Sequence, residues 1–490
     1  MPGGTTRHSK NLSQQDAKRR EVKDNVMQDA QISESDHLAR VTQASKKQSA
    51  RILAVFETTL IGAGLVIMLQ LLPFTIFGDG DVRFKALSRM LEQGIMPTMK
   101  YSLVGPALSI PFWYLGYVYQ TSLWWCQRYN FFVFTIGLLV IYWVLRKWFD
   151  RSLVRKFLLI LIIASMFPYH LTTYYAEVFT AICVGVGILV ATFGSSIAGW
   201  TAVILGVVNT PASILGLAFV VIKQILDSKR WRYVLVLAAA VCLLVAEAWI
   251  RLGHPLNTGY DNNAGARTVM PYSGFSGFSY PFFFGLLSIL FSFGKGLIFF
   301  APGLLLPIRS TILRMQQEKK FELFRVYLLW IAFLLGLILV YSRWWAWYGG
   351  WFWGPRFFLF ASIPASFALA VRLHYRNTSL LINLLTLIVF CLSMWVGFNG
   401  VVFNPNLQGI CYTRDYALEF LCHYTPEFSV LWYPFVIQER IKTGLIPYVV
   451  YSIIAFAYLA IPLIWKIACQ TAELVRISGK AHLNIKTWHF

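Results

Sequence analysis

Residues 77–101 read FGDGDVRFKALSRMLEQGIMPTMKY and decide the fold that we predict for the chain. They follow the first long apolar run, residues 53–77, which is long enough to cross a bilayer at about 20 residues per span. The segment therefore emerges from a membrane and not from a soluble core. It opens with two carboxylates, Asp79 and Asp81, on either side of Gly80. Glycine lets the backbone approach a ligand closely, which is compatible with a chemical use for the acidic pair.

A short amphipathic helix is predicted directly after the acidic pair. Phe84, Leu87 and Met90 recur at helical spacing, with Leu91 beside them, so one face of this helix is expected to lie on the bilayer. A solvated loop is the alternative, because aspartate also favours the start of a helix. Spacing alone does not separate the two interpretations, and the rest of the chain favours the functional one.

The composition is that of a polytopic membrane protein. Of 490 residues, 57% are hydrophobic and only 13% are charged, against about 25% in soluble domains. The net charge of +21 would fit nucleic-acid binding, but the lysines and arginines cluster in short loops between apolar runs. Cations in such loops set the orientation of membrane helices. We therefore predict no nucleic-acid partner and place both termini in the cytoplasm.

The apolar runs predict an all-α protein with about twelve transmembrane helices. Residues 1–50 are polar and predict a disordered cytoplasmic tail. Residues 51–373 are expected to form the main transmembrane module, with membrane-surface helices in its first outer loop. Residues 374–490 are expected to add further spans, an outer loop at 402–444 and a basic cytoplasmic tail.

The seven cysteines predict one disulfide at most. Five lie in or beside apolar runs and are expected to pack as small hydrophobic residues. Cys411 and Cys422 share one hydrophilic loop and would form a disulfide if that loop faces an oxidising compartment. The sequence contains no CxxC pair and no Cys/His cluster, so a zinc site is not predicted.

Two charged residues stand where apolar runs reach the outer side. Glu177 lies at the mouth of one run, and ionisable groups at membrane depth are usually functional, although a glutamate among lipid headgroups would give the same pattern. Lys295 lies between two glycines within another apolar segment. It either snorkels to the surface or meets an anion, and we favour the anion. Residues 251–280 form a polar, glycine-rich loop that adds His254, Asn257, Tyr260 and Arg267 as candidates.

The last outer feature is the tryptophan-rich stretch SRWWAWYGGWFWGPR, residues 342–356. An aromatic belt at the membrane interface would explain the tryptophans. A belt does not need the glycines or the terminal Arg356, which provide a shaped backbone and a fixed cation. Aromatic rings such as those of Trp347 and Tyr348 stack on sugars, and arginine binds phosphate through a planar fork.

Carboxylates, cations and aromatic rings on one membrane face suit the transfer of a sugar from a lipid-linked phosphate. An aspartate would take the proton of the acceptor hydroxyl, whose oxygen would attack the anomeric carbon opposite the phosphate and invert it. Cations would stabilise the charge on the leaving phosphate.

The candidate residues fall into three groups by predicted role. They are Asp79, Asp81 and Glu177 for catalysis; Arg83, Arg267, Lys295 and Arg356 for the donor phosphate; and Tyr101, His254, Asn257, Tyr260, Trp347 and Tyr348 for the sugar. No cofactor and no metal are predicted, although the three acids could in principle share a divalent ion.

The acidic first outer loop, followed by membrane-surface helices, resembles the GT-C superfamily of polytopic glycosyltransferases. That superfamily includes protein O-mannosyltransferases and the aminoarabinose transferases that modify lipid A. The resemblance implies a polyprenyl-phosphate sugar as donor, Asp79 or Asp81 as the base and Glu177 as a second acid. A D-G-D stretch stands here in place of the usual D-E pair, which leaves the choice of base open.

Five motifs are similar to those of a bacterial group of GT-C-type membrane proteins. They are GDGDVRF (78–84), KYSLVGP (100–106), GHPLNTGY (253–260), GKGLIFFAP (294–302) and YGGWFWGPRF (348–357). The similarity covers roughly residues 52–370, and its shared G-D-G favours Asp79 as the base. The chain lacks the WWDYG-type motif of oligosaccharyltransferases, which argues against a metal-dependent N-glycosylation enzyme.

The sequence thus predicts an inverting glycosyltransferase at the outer face of a bacterial inner membrane. Its partners would be a polyprenyl-phosphate-linked sugar, a glycan, glycolipid or protein acceptor, and the bilayer. A transporter or flippase for lipid-linked glycans is the first alternative, but it would need charges along a path through the bundle, and here they crowd one face. A non-catalytic subunit on a GT-C-like scaffold is the second.

Overall fold

Helices form the regular structure of the residues that the computed structural model describes, which are 45, 47–119, 121–257, 259, 267–270, 273–275, 277–350, 352–403 and 416–486, without the side chains of 477–486. Within these ranges the one β-type contact is an isolated bridge between Thr75 and Thr173. The helices are α1 (Lys47–Leu71), α2 (Asp79–Gln93), α3 (Val104–Leu108), α4 (Ile110–Val118), α5 (Ser122–Gln127), α6 (Tyr129–Leu145), α7 (Arg151–Ile163), α8 (Phe167–His170), α9 (Ala176–Phe193), α10 (Ser196–Asn209), α11 (Ile214–Ser228), α12 (Val234–Leu252), α13 (Phe282–Phe291), α14 (Leu297–Phe300), α15 (Arg309–Leu313), α16 (Lys320–Tyr341), α17 (Ser362–His374), α18 (Leu380–Val402), α19 (Glu419–Tyr424), α20 (Tyr433–Ile437) and α21 (Ile446–Lys486).

Among the described residues, eight helical segments are long and apolar enough to cross a membrane, which confirms the prediction of an all-α, polytopic membrane protein. They correspond to α1, α9, α11, α12, α16, α17, α18 and α21, and the segments of α11, α12, α17 and α21 already begin at Pro211, Trp231, Arg356 and Thr443. Helices α6, α10 and α13 are shorter and apolar. The predicted number of about twelve crossings stays a prediction. The chain divides into two compact units, Met1–Thr59 and Leu60–Phe490. The predicted boundaries after residues 50 and 373 stay predictions.

The first predicted span ends earlier than the apolar run does. Helix α1 ends at Leu71, because Pro73 lacks a backbone N–H and restricts the residue before it. In the extended segment that follows, the Thr75 amide donates a hydrogen bond of 2.8 Å to the carbonyl of Thr172, beside the Thr75–Thr173 bridge. This pairing brings the chain after α1 against the segment before α9.

The predicted amphipathic helix is α2, but its apolar face packs on protein. Leu87 is fully buried in a cluster with Trp113, Tyr129 and Phe179, which come from α4, α6 and α9. The expectation that this face lies on the bilayer is therefore replaced by a packing contact. That contact fixes the orientation of α2 and hence of Asp79, its first residue.

Glycines bring α9 and α10 into backbone contact. A Cβ atom added to Gly199 would lie 2.5 Å from the Cα atom of Ala191 and 2.5 Å from the carbonyl oxygen of Gly187. Small residues allow this close approach between membrane helices. The hairpin of α9 and α10 supports the end of α9 that carries Glu177.

We predict that Gly199→Ala destabilises the protein, because the methyl group has no room between α9 and α10. Overpacking should lower the free energy of unfolding by about 1–3 kcal/mol, measured by thermal unfolding in detergent. The matched control is Gly62→Ala in α1, where an added Cβ would meet nothing within 4 Å. A helical glycine replaced in open space should leave stability unchanged or raise it by about 0.5–1 kcal/mol. Equal unfolding temperatures for both variants would contradict the close contact.

Candidate active site

Asp79 lies at the start of α2 with both carboxylate oxygens engaged. Oδ1 accepts a hydrogen bond from the Tyr101 hydroxyl at 2.6 Å, and Oδ2 accepts one from Arg356 Nη2 at 2.8 Å. Gly78, directly before it, has φ of 55°, a conformation that L side chains rarely adopt. The side chain of Asp79 keeps 29% of its surface exposed. It is therefore held in place and still accessible.

Arg356 joins this aspartate to a second acid. Its Nε atom lies 3.6 Å from Glu177 Oε1, an ion-pair distance that is too long for a hydrogen bond. The rings of Phe352, Tyr175 and Phe357 surround the guanidinium, with centroids 4.4, 5.2 and 5.1 Å from its central carbon. Arg356 is buried, and its Nη1 atom has no hydrogen-bond partner among the described residues.

Two buried asparagines hold the backbone directly before Glu177. Asn130 of α6 donates to the carbonyls of Thr173 and Tyr175 at 2.6 and 2.9 Å. Asn209 of α10 donates to the carbonyl of Ala176 at 3.0 Å. Both amides lie within helices that the sequence marks as apolar, and this was the signal that our sequence analysis missed.

The charges around Asp79 keep it ionised. Burial by itself would raise the pKa of Asp79, but the charge of Arg356 and the hydrogen bonds from Tyr101 and Arg356, with a smaller effect of Arg83, hold the pKa below its ordinary value. The carboxylate therefore carries its charge at neutral pH.

The loop before Arg356 is packed against the rest of the protein. Lys295 is buried and donates hydrogen bonds to the carbonyls of Gly350 at 3.2 Å, Gly354 at 2.9 Å, and Phe352. These bonds use all three donors of the ammonium group. Trp353 in the same loop donates to Asn399 Oδ1 at 2.8 Å. The geometry thus gives Lys295 a role in holding the loop, and its predicted contact with the donor phosphate stays a prediction.

The predicted sugar-stacking residues of this loop are also enclosed. Trp347 and Tyr348 are 1% and 2% exposed, and their ring centroids lie 5.7 and 4.7 Å from that of His423 in α19. An interfacial belt would leave such rings exposed. Cys422, next to His423, is disulfide-bonded, whereas Cys411 lies outside the described residues, so their pairing stays a prediction.

Arg83 and Asp81, which are close to Asp79 in the sequence, point to different surroundings. Arg83 is buried, donates to the Ser102 carbonyl at 3.0 Å and lies over the Tyr101 ring at 5.0 Å. Asp81 faces outward and pairs with Lys85 at 2.7 Å. The structure therefore brings Arg83, and not Asp81, to the Tyr101 side of Asp79.

The polar loop after α12 supplies turn residues. His254 is exposed and accepts from the Leu256 amide through Nδ1, and Asn257 Oδ1 accepts from the Gly259 amide at 2.8 Å. A Cβ atom on Gly259 would lie 2.7 Å from the Cα atom of Lys100, so this loop lies beside the chain segment that carries Tyr101. Arg267 is exposed, and its side chain lies beside Gly274. Tyr260 lies outside the described residues.

Among the described residues, there is no group of three or more His, Cys, Asp or Glu side chains that could hold a metal ion. Asp79 and Glu177 share Arg356 between them instead.

Two solved structures are similar to this chain. No protein-family model and no curated protein matches the chain. Two crystal structures match, those of ArnT from Cupriavidus metallidurans bound to undecaprenyl phosphate and in the apo state, with TM-scores of 0.49 and 0.47. Each shares 14% identity and covers 84% of this chain and 77% of the other. ArnT is an aminoarabinose transferase of the GT-C superfamily.

We predict that Lys295→Met destabilises the loop that leads to Arg356. Three backbone carbonyls, two half-buried and one buried, would lose their donor, which should lower the free energy of unfolding by about 1–3 kcal/mol, measured by thermal unfolding in detergent. The matched control is Lys85→Met, because the Lys85 side chain is 65% exposed. This surface change should stay within about 0.5 kcal/mol. Unchanged stability of Lys295→Met would show that the ammonium does not hold the loop.

Proposed function

We propose that the chain is a membrane glycosyltransferase that moves a sugar from a polyprenyl-phosphate donor to a cell-envelope acceptor. The reaction would take place on the outer, periplasmic face of a bacterial inner membrane, with both termini in the cytoplasm. The observation that carries the proposal is one buried cation, Arg356, in contact with two carboxylates, Asp79 and Glu177. All three residues stand at the ends of predicted or observed membrane helices, where a lipid headgroup arrives.

Asp79 is the proposed base. It is ionised, 29% exposed and held by Tyr101, whereas Asp81 is paired on the outer surface with Lys85. A base needs an accessible oxygen within hydrogen-bond reach of the acceptor hydroxyl. Tyr101 is thus proposed to orient the carboxylate rather than to stack on the sugar.

The proposed reaction is a single displacement at the anomeric carbon. Asp79 takes the proton of the acceptor hydroxyl as its oxygen forms the new bond to the anomeric carbon. The bond from that carbon to the phosphate oxygen breaks, and its electron pair stays on the leaving polyprenyl phosphate. One displacement inverts the configuration of the anomeric carbon.

Two arginines are proposed to stabilise the leaving phosphate. Arg356 and Arg83 both act on the charge of Asp79, and each has a buried nitrogen without a hydrogen-bond partner among the described residues, Nη1 in Arg356 and Nε in Arg83. Arginine binds phosphate oxygens well because its donors form a planar fork. Fixed cations that face a developing negative charge are an effective source of transition-state stabilisation.

We predict that Asp79→Asn removes sugar transfer and that Asp81→Asn does not. The measurement is transfer of labelled sugar from a panel of polyprenyl-phosphate sugars to an envelope extract by the purified protein. Loss of a general base should lower the rate by about 10²–10⁴-fold, while the unfolding temperature stays near that of the wild type. Asp81→Asn should keep most of the rate because its carboxylate pairs with Lys85 away from Arg356.

Two results would count against this assignment. Loss of transfer in Asp81→Asn alone would move the base to Asp81. Binding of labelled donor without transfer to any acceptor would favour a transporter or a non-catalytic subunit. The anomeric configuration of the product, read by NMR, tests inversion separately.

A further inference from the structure

One guanidinium nitrogen of Arg356 is hydrogen-bonded to an acid, a second faces another acid at ion-pair distance, and the third, Nη1, is an open position without an acid beside it among the described residues. Nη2 bonds to Asp79 at 2.8 Å, and Nε faces Glu177 at 3.6 Å. Nη1 is buried and has no hydrogen-bond partner among the described residues. Three aromatic rings enclose the group and limit where it can turn. A buried charged donor without a partner is costly, so the open position is suited to an anionic oxygen.

We infer that the donor phosphate binds at the open Nη1 position and competes with Asp79 for Arg356, so that donor binding releases the base. This inference rests on the proposed function, which supplies the identity of the anion. The same arginine therefore serves two anions in turn, first the carboxylate of Asp79 and then the phosphate.

The charge balance of the site requires this competition. Two carboxylates already face the single positive charge of Arg356, and Arg83 is the other cation whose charge acts on Asp79. A phosphate oxygen at Nη1 places a third negative group within a few bond lengths of Asp79. Like charges at such distances repel strongly where water is excluded, so the bond from Arg356 to Asp79 must weaken as the phosphate binds.

The exchange orders the reaction. While Arg356 holds Asp79, the carboxylate is a weak proton acceptor, because the cation stabilises its charged form. When the phosphate takes the arginine, Asp79 keeps only the hydrogen bond from Tyr101 and gains basicity. The base thus becomes strong only after the donor is in place.

Binding of sugar-free polyprenyl phosphate tests the competition without catalysis. The affinity of the purified full-length protein is measured by isothermal titration in detergent. Asp79→Asn removes the stronger competitor and should bind on the order of tenfold more tightly than the wild type. Glu177→Gln removes the more distant competitor and should show a smaller gain. Arg356→Met should bind at least about tenfold more weakly.

The matched control is Glu92→Gln, an exposed acid on the same helix as Asp79, which should bind like the wild type. Unfolding temperatures of all variants confirm that they are folded. If the wild type binds the lipid and Asp79→Asn binds it equally or more weakly, the exchange is overturned while the proposed donor stands. Equal binding by Arg356→Met would also overturn this inference, since the lipid phosphate would then bind elsewhere, while absence of binding by the wild type would overturn the proposed donor and this inference with it.

Discussion

The site depends on the ion contacts of one buried arginine. Arg356 connects three segments that are far apart in sequence: the start of α2, the start of α9 and its own segment before α17. A buried guanidinium is tolerated only when acids and rings compensate for its lost hydration. Asp79, Glu177 and the surrounding aromatic rings provide this compensation, so the three segments stabilise one another at this point.

Contacts around the site hold the backbone of each of these segments in addition to the ion contacts. Pro73 ends α1 early and frees the extended stretch that bridges to Thr173. Asn130 donates to two carbonyls of the loop before α9, and Asn209 donates to the carbonyl of Ala176, the first residue of α9. Lys295 does the same for the loop that leads to Arg356. A site whose backbone is fixed in this way loses little entropy on binding, which is what positions reacting groups effectively.

The sequence predicted the helical membrane fold and the convergence of the main charges, because hydropathy and charge bias report which side of a membrane a residue reaches. Which groups contact each other was harder to predict. Lys295 between two glycines was expected to meet an anion, yet it donates to three backbone carbonyls. Trp347 was expected to face a sugar, yet it packs against His423. Residue type indicates what a side chain can bind, whereas tertiary packing decides which partner reaches it first.

The segment after α18, which none of the motifs covers, also supports the loop that leads to Arg356. The Gly294 amide donates to the His423 carbonyl at 3.0 Å, and Ser429 Oγ donates to the Phe293 carbonyl at 2.7 Å. These bonds hold the two residues directly before Lys295, whose own donors hold the loop of Arg356. The C-terminal segment therefore supports this loop through Lys295. The chain beyond residue 373 thus belongs to the architecture of the site, although it carries none of the groups proposed to react.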